Sequence, residues 1–181
     1  LDAAGRISGY RSQYDPNAGR VMVAKAGLGF KNRVNHSENN LKAQAERQAD
    51  PHSHAIILDK FYGRIAYVPD LGSDSVHQFL FNPDSGTLQF CGNFPSGAPG
   101  KTALGPRYIE FHPTLPVAYV INELSSEVAV FMFDQSEAQK LMAWGKGSDR
   151  PSLSHGSPPQ FKTLRLVQNI STIPGAWPRS K

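Results

Sequence analysis

The sequence predicts an all-β chain: two four-stranded blades of a propeller, preceded by part of another blade. The first observation behind this is an internal repeat. His54-Ala-Ile-Ile-Leu-Asp-Lys, Arg64-Ile-Ala-Tyr-Val-Pro-Asp-Leu and Ser75-Val-His-Gln-Phe-Leu-Phe-Asn82 form the first copy. Arg107-Tyr-Ile-Glu-Phe-His-Pro, Val117-Ala-Tyr-Val-Ile-Asn-Glu-Leu and Glu127-Val-Ala-Val-Phe-Met-Phe-Asp134 repeat it in the same order. Ala66-Tyr67-Val68 and Ala118-Tyr119-Val120 lie 52 positions apart, and Asp59-Lys60 and His112-Pro113 lie 53 apart. Repeats of roughly 40–50 residues built from short β segments are the signature of propeller blades. The second observation is punctuation. Sixteen glycines and 14 prolines in 181 residues separate many short Val/Ile/Phe/Tyr runs, the pattern of strands joined by tight turns.

The length is that of one domain with room for a core. A net charge of +4 is mild and its basic residues are scattered without aromatic interleaving, which excludes a nucleic-acid surface. It suits a small anionic partner or simply a solvated surface. A single cysteine, Cys91, excludes an internal disulfide framework and is compatible with a reducing, cytoplasmic setting. No apolar run approaches the roughly 18 residues of a membrane span, so no membrane partner is expected. No cofactor is expected either, and the oligomeric state is left open.

In chain order, residues 1–24 read as the tail of a preceding blade. Leu1-Asp-Ala-Ala-Gly-Arg-Ile7 parallels Phe81-Asn-Pro-Asp-Ser-Gly-Thr-Leu88: an extended run, a turn through small residues and Gly, then a second extended run. On that parallel the chain is expected to begin inside a third-to-fourth-strand hairpin and to be a fragment. Arg20 to Ala24 suits an outer strand. Residues 25–50 read as a surface connection, with a helix-like piece at Leu41 to Gln48 whose burial should be slight. Asn35-His-Ser37 and Asn169-Ile-Ser171 fit the glycosylation sequon, which matters only in a secreted protein.

Residues 51–104 are expected to form the first full blade. Ala55 to Leu58 is its short innermost strand, buried on both faces. Ile65 to Val68, Val76 to Phe81 and Thr87 to Cys91 follow, with turns at Phe61 to Arg64 and Gly72 to Asp74. Phe94 to Gly105 is a Pro/Gly-rich connection. Residues 105–174 are expected to form the second blade. It carries an inserted loop at 135–160, loosely packed in its second half, before an outer strand over Phe161 to Ile173.

Pro51-His-Ser-His54, Val68-Pro-Asp-Leu-Gly72, Gly105-Pro-Arg107, Phe111-His-Pro113 and Asn122-Glu-Leu-Ser125, in this order and at blade spacing, resemble the seven-bladed propeller lactonase family. That family includes propeller-type 6-phosphogluconolactonases and fungal carboxy-muconate cyclases. The similarity is good over about residues 50–134 and looser to 174. It implies a complete enzyme about twice this length, with a pocket at one end of the central channel. It also implies further pocket residues, an arginine among them, in later blades. Two blades and part of a third cannot close a ring, so open edges and apolar faces are expected. Where the family commonly has His after Gly-Pro-Arg, Tyr108 stands; tyrosine donates a hydrogen bond but does not titrate near neutrality.

The repeat also groups candidate site residues without reference to the family. His54 and Arg107 each begin the innermost strand of a copy, and Asp70 and Glu123 follow the second strands. In an antiparallel hairpin the start of one strand lies beside the end of the next, so all four should reach one face near the axis. Lactone chemistry needs a proton-transfer group and a cation for an anionic end or a developing oxyanion. His54, Arg107 and Glu123 are therefore the catalytic candidates. His54 is the proton carrier, or else satisfies a turn. Arg107 binds the anion. Glu123 orients Arg107 or acts as a base. His52, Asp70 and Tyr108 complete the substrate-binding set, with Asp70 equally suited to capping the turn before Gly72. His52 and His54 together could hold a metal, but no third ligand has a telling spacing, so none is assigned. His112 is expected to be structural, and His36, His77 and His155 join no constellation. The function expected is hydrolysis of an anionic sugar lactone. Lactone formation of the muconate-cyclase type and a non-catalytic interaction propeller are the alternatives.

Overall fold

A computed structural model describes residues 46–99, 103–146 and 161–174. The expected preceding-blade tail at 1–24, most of the 25–50 connection, the Asn35 sequon and residues 147–160 of the inserted loop lie outside them. The described chain folds into two four-stranded antiparallel sheets. The first has the order β1 (Ile57–Leu58), β2 (Ile65–Asp70), β3 (Ser75–Asn82), β4 (Thr87–Pro95). The second has the order β5 (Pro106–Phe111), β6 (Val117–Asn122), β7 (Glu127–Phe133), β8 (Leu164–Ser171), with helix α1 (Gln135–Lys146) between its last two strands. Each sheet is an up-and-down meander, so the described residues form two adjacent blades of a partial β-propeller.

The repeat extends to backbone detail. Asp74 and Ser126 occupy the same turn position, with φ of 52° and 53°. Asp70 pairs with Ser75 and Asn122 with Glu127, closing equivalent hairpins. A bulge falls at Gln78/Phe79 in one sheet and at Val130/Phe131 in the other, again 52 positions apart. Local strain and strand bending thus recur with the sequence, as expected of one supersecondary unit used twice.

The two turns after the first strands use different chemistry at one position. Buried Asp59 accepts from the N–H groups of Phe61, Tyr62, Arg64 and Ile65 at 3.0, 2.6, 2.9 and 2.8 Å. In the second copy His112 Nδ1 accepts from Thr114 and Leu115 at 3.2 and 3.0 Å, the structural role expected of it. Either acceptor satisfies turn N–H groups that the ladder leaves unpaired. The β3–β4 turn includes Gly86 at φ 67°, the positive value its hairpin chemistry requires.

The core lies between the sheets. Tyr67 and Phe111 face each other at 5.5 Å, Phe111 and Phe133 meet edge to face at 5.7 Å, and Phe61 stacks on Phe133 at 5.2 Å. Ile65, Val76, Ile109, Val120 and Phe131 fill the rest. Alternation along each strand supplies these residues from one face, so a one-residue register slip would empty the layer. Tyr67 is fully buried, and its hydroxyl meets Thr163 Oγ1 at 2.6 Å, tying the first sheet to the entry of β8. Burying an aromatic ring of this size contributes about 3 kcal/mol.

Three expectations need correction. The innermost strand of the first copy is only two residues long and half open, with Ile56 and Leu58 exposed, because β1 is a sheet edge. The outer strand β4 runs on to Pro95 rather than stopping at Cys91. The first part of the inserted segment is a helix. Asp134 caps it, its Oδ1 accepting from Ser136 N at 3.0 Å and Glu137 N at 3.1 Å. Ala138 and Leu141, one turn apart, are buried, and Gly145 lies against Leu80 of the first sheet.

On the face of the second sheet turned away from the first, registers align Tyr108, Ile121, Val128 and Ile170 in a row across all four strands. Tyr108, Ile121 and Ile170 are 42–49% exposed, so this row presents an apolar, exposed sheet face.

Candidate functional site

The same three backbone positions build one rim from both copies. Leu71 N donates to His52 O at 2.9 Å, and Glu123 N donates to Gly105 O at 2.8 Å. Glu123 is therefore the counterpart of Leu71, not of Asp70, whose counterpart is Asn122. His54 and Arg107 are counterparts, next to the Ser53–Asp70 bridge and the Pro106–Asn122 pair. Gly105 has φ 64°, and a side chain there would meet Leu124 at 2.5 Å, so glycine alone fits both the angle and the space. Just after it the register shifts between Pro106 and Tyr108, which leaves Arg107 as the extra residue of a bulge. Bulges re-aim side chains, and Arg107 leaves the strand at the rim, with 53% of its side chain exposed.

Four charged or titratable side chains come together there, Arg107, Arg47, Glu123 and His54. Arg107 Nη1 donates to Glu123 Oε2, and Arg47 Nη2 meets Glu123 Oε1 at 2.5 Å. Burial works to raise the Glu123 pKa, but hydrogen bonds from Arg107 and Arg47, with their charges, outweigh it and hold the carboxyl below its ordinary value. A carboxylate so held orients cations and is a poor proton acceptor near neutrality. His54 is exposed and within electrostatic reach of Arg107, Glu123, His52 and Asp70. Partial burial and the Arg107 charge, opposed by Glu123, lower its pKa from 6.5. The neutral imidazole, with a lone pair to offer, is therefore favoured near neutrality.

The other expected residues divide. Asp70 is fully buried and faces inward. Its Oδ1 accepts from His52 N at 3.1 Å and Ser73 N at 2.9 Å, and its Oδ2 accepts from Ser53 Oγ at 2.9 Å. Behind it stands buried His77, whose Nε2 is 3.9 Å from Oδ2, a neighbour the sequence did not reveal. Asp70 thus holds the His52–His54 segment and its turn in place, the capping role that the sequence equally allowed it. His52 donates Nδ1–H to the Arg47 carbonyl at 2.8 Å. Tyr108, opposite Ile121, lies on the open sheet face beside the rim.

Sequence reasoning missed Arg47 and Gln48. The polar run before Pro51 reads as solvated surface, yet buried Gln48 donates to Leu71 O at 2.8 Å and Asp74 Oδ1 at 2.6 Å. Asp74 Oδ1 also accepts from Gly105 N at 2.8 Å. A strap formed by residues 46–50 thus pins both copies at the rim. It passes so close to Gly72 that a side chain there would meet Asp50 O at 1.9 Å. No periodicity marks it, because it acts through polar contacts.

Among the described residues no group of three or more His, Cys, Asp or Glu side chains could hold a metal ion, and no helix is long and apolar enough to cross a membrane. Cys91 is buried, and burial pushes its thiol up to about 11, well away from reactivity. A cleft lined by Arg64, Phe81, Asn82, Asp84 and Gln89 opens at the opposite end of the first sheet, away from His54.

Comparison with known proteins shows the family. The family model described as "Lactonase, 7-bladed beta-propeller" matches residues 12–150. A Bacillus subtilis 6-phosphogluconolactonase is 33% identical over 106 residues, 59% of this chain and 28% of that protein. An uncharacterized Staphylococcus aureus protein is 34% identical over 96 residues, 53% of this chain and 26% of its own length. A crystal structure from Lactobacillus plantarum superposes with a TM-score of 0.52 at 21% identity, covering 72% of this chain and 29% of that one, a likeness of fold. The chain thus spans under a third of the length of these relatives.

Proposed function

The chain belongs to the seven-bladed β-propeller lactonase family, and from that premise we propose that it forms part of a hydrolase for an anionic sugar lactone, of the 6-phosphogluconolactone kind. The observation that carries this reading is the convergence of exposed, neutral His54 with the Arg107–Glu123 pair on one rim, from copies 53 positions apart. A fold hosts many chemistries, so the argument rests on these side chains.

In the proposed reaction, the lactone's anionic group is held by the Arg107 guanidinium, which Glu123 keeps aimed at the mouth. Neutral His54 accepts a proton from a water as its oxygen attacks the lactone carbonyl. The carbonyl carbon becomes tetrahedral, and its oxyanion is stabilised by the nearby positive charge. As the ring C–O bond breaks, the imidazolium returns the proton to the departing ring oxygen, leaving a hydroxy acid and a regenerated site. Glu123 takes no proton, since both arginines hold it ionised.

The test is hydrolysis of 6-phosphogluconolactone by the intact protein and its His54→Gln variant. A loss of about 10²–10⁴-fold in kcat with little change in KM is expected of a missing proton carrier. Undiminished turnover would remove His54 from the mechanism.

A further inference from the structure

The Arg107–Glu123 pair has a third member to which the proposed mechanism gives no contact with the substrate. Arg47 approaches the other carboxylate oxygen, so two guanidinium groups share one anion. The trio carries a net charge of +1. Each arginine engages Glu123 through one nitrogen, and 44% of the Arg47 side chain and 53% of the Arg107 side chain remain exposed. Two cations drawn to one carboxylate repel each other, and that repulsion falls when a second anion arrives between their outward edges. Planar guanidinium forks suit a ligand with several charged oxygens more than one with a single carboxylate.

Arg47 is also not a loose surface side chain. Its carbonyl accepts from His52 Nδ1, and the next residue, Gln48, is buried and bonded to Leu71 and Asp74. Its backbone is therefore fixed relative to both copies, including the Asp74–Gly105 link that leads to Arg107. A long side chain on a fixed backbone loses less entropy on binding than one on a free strap.

We propose that Arg47 is a second anion-binding residue of this site, paired with Arg107 across Glu123 and selecting ligands with a doubly charged phosphate group over monoanionic or neutral ones. This rests on the lactonase reading for its substrate but not for its test, because phosphate binding can be measured without turnover.

The experiment is calorimetric titration of the intact protein with inorganic phosphate, comparing wild type, Arg47→Gln, Arg47→Lys and the charge control Lys60→Gln. Lys60 is exposed in the β1–β2 turn, at the other end of the sheet. Arg47→Gln should weaken phosphate binding about 10–100-fold, the scale of a lost charge-assisted hydrogen bond. Arg47→Lys should recover part of the loss, and Lys60→Gln should stay within about twofold. In turnover, Arg47→Gln should raise KM for the phosphorylated lactone at least about tenfold more than for an uncharged lactone. A phosphate affinity unaffected by Arg47→Gln, a wild type that binds no phosphate, or an equal loss in Lys60→Gln overturns the proposal. Absence of turnover on either lactone, with the phosphate result intact, overturns the lactonase reading and leaves this one standing.

Discussion

The two copies share a backbone and differ at the rim. Where the first copy places Leu71, buried under the strap, the second places Glu123, paired with two arginines in partly open surroundings. Asp70, held by donors from its turn and from the His52–Ser53 segment, has as its counterpart Asn122, whose Nδ2 donates to Ser96 O at 2.9 Å. His54 in the first copy corresponds to Arg107 in the second. The repeat thus fixes where side chains reach the rim, and single substitutions within it decide which chemistry they bring. One copy is specialised for holding the rim together and for a neutral imidazole, the other for charge.

The sharpest way to break this comparison is to remove the charge from the second copy. Arg107→Ala should lower kcat/KM for an anionic lactone by about 10²–10³-fold, measured in the intact protein by steady-state kinetics. A loss below about threefold would mean that the rim charge is ornamental.

Exchanging the counterparts comes next. Leu71→Glu forces a carboxylate into a fully buried position and should destabilise the fold by about 3–5 kcal/mol, read from a denaturant midpoint. Glu123→Leu replaces a partly exposed residue and should cost under about 1 kcal/mol of stability, while still impairing catalysis. Equal destabilisation by the two exchanges would show that the copies are not specialised as described.

The pH dependence sharpens the same contrast. His54 acts as a proton acceptor only when neutral, and its pKa lies below 6.5. The acid limb of kcat/KM should therefore be centred below pH 6.5, activity rising toward its plateau above that midpoint and being lost as the imidazole protonates. A limb centred above 6.5 would contradict the electrostatic surroundings found here.

The smallest expected effect concerns the seam between the copies. Tyr67→Phe keeps the ring in the core and removes only the hydroxyl facing Thr163, for a loss of about 1 kcal/mol in thermal or denaturant unfolding. A loss near the 3–5 kcal/mol of Tyr67→Ala would mean that the polar contact, not the ring, joins the sheets.

Much of this was legible in the sequence because a propeller blade writes its geometry twice. The short apolar runs in Ile65–Asp70 and Val117–Asn122, repeated 52 positions apart, give the strands, and the 53-residue offset of His54 and Arg107 gives their common rim. The helix at Gln135–Lys146 was not anticipated, although Asp134 with Glu137 three residues on is a start signal that sequence alone carries. Its core-facing residues Ala138, Leu141 and Met142, with Trp144 packed beside them, lie at helical spacing, but the Gly/Pro-rich stretch that follows them reads as loop. Arg47 and Gln48 left no trace at all. Their importance comes from where a neighbouring strap crosses two turns, and polar contacts between distant segments have no period to detect. Asp70 illustrates a third case. Its place at the rim was legible, but its burial was not, because linear position does not say which way a carboxylate turns.

The account rests on His54 and Arg107 sharing one electrostatic environment, and an NMR titration of the His54 imidazole measures that directly. In the wild-type protein its pKa should lie below 6.5, and in Arg107→Gln it should rise, since a neighbouring positive charge has gone while the burial stays. A His54 titration that does not move between the two proteins would contradict the shared rim, and with it the site built upon it.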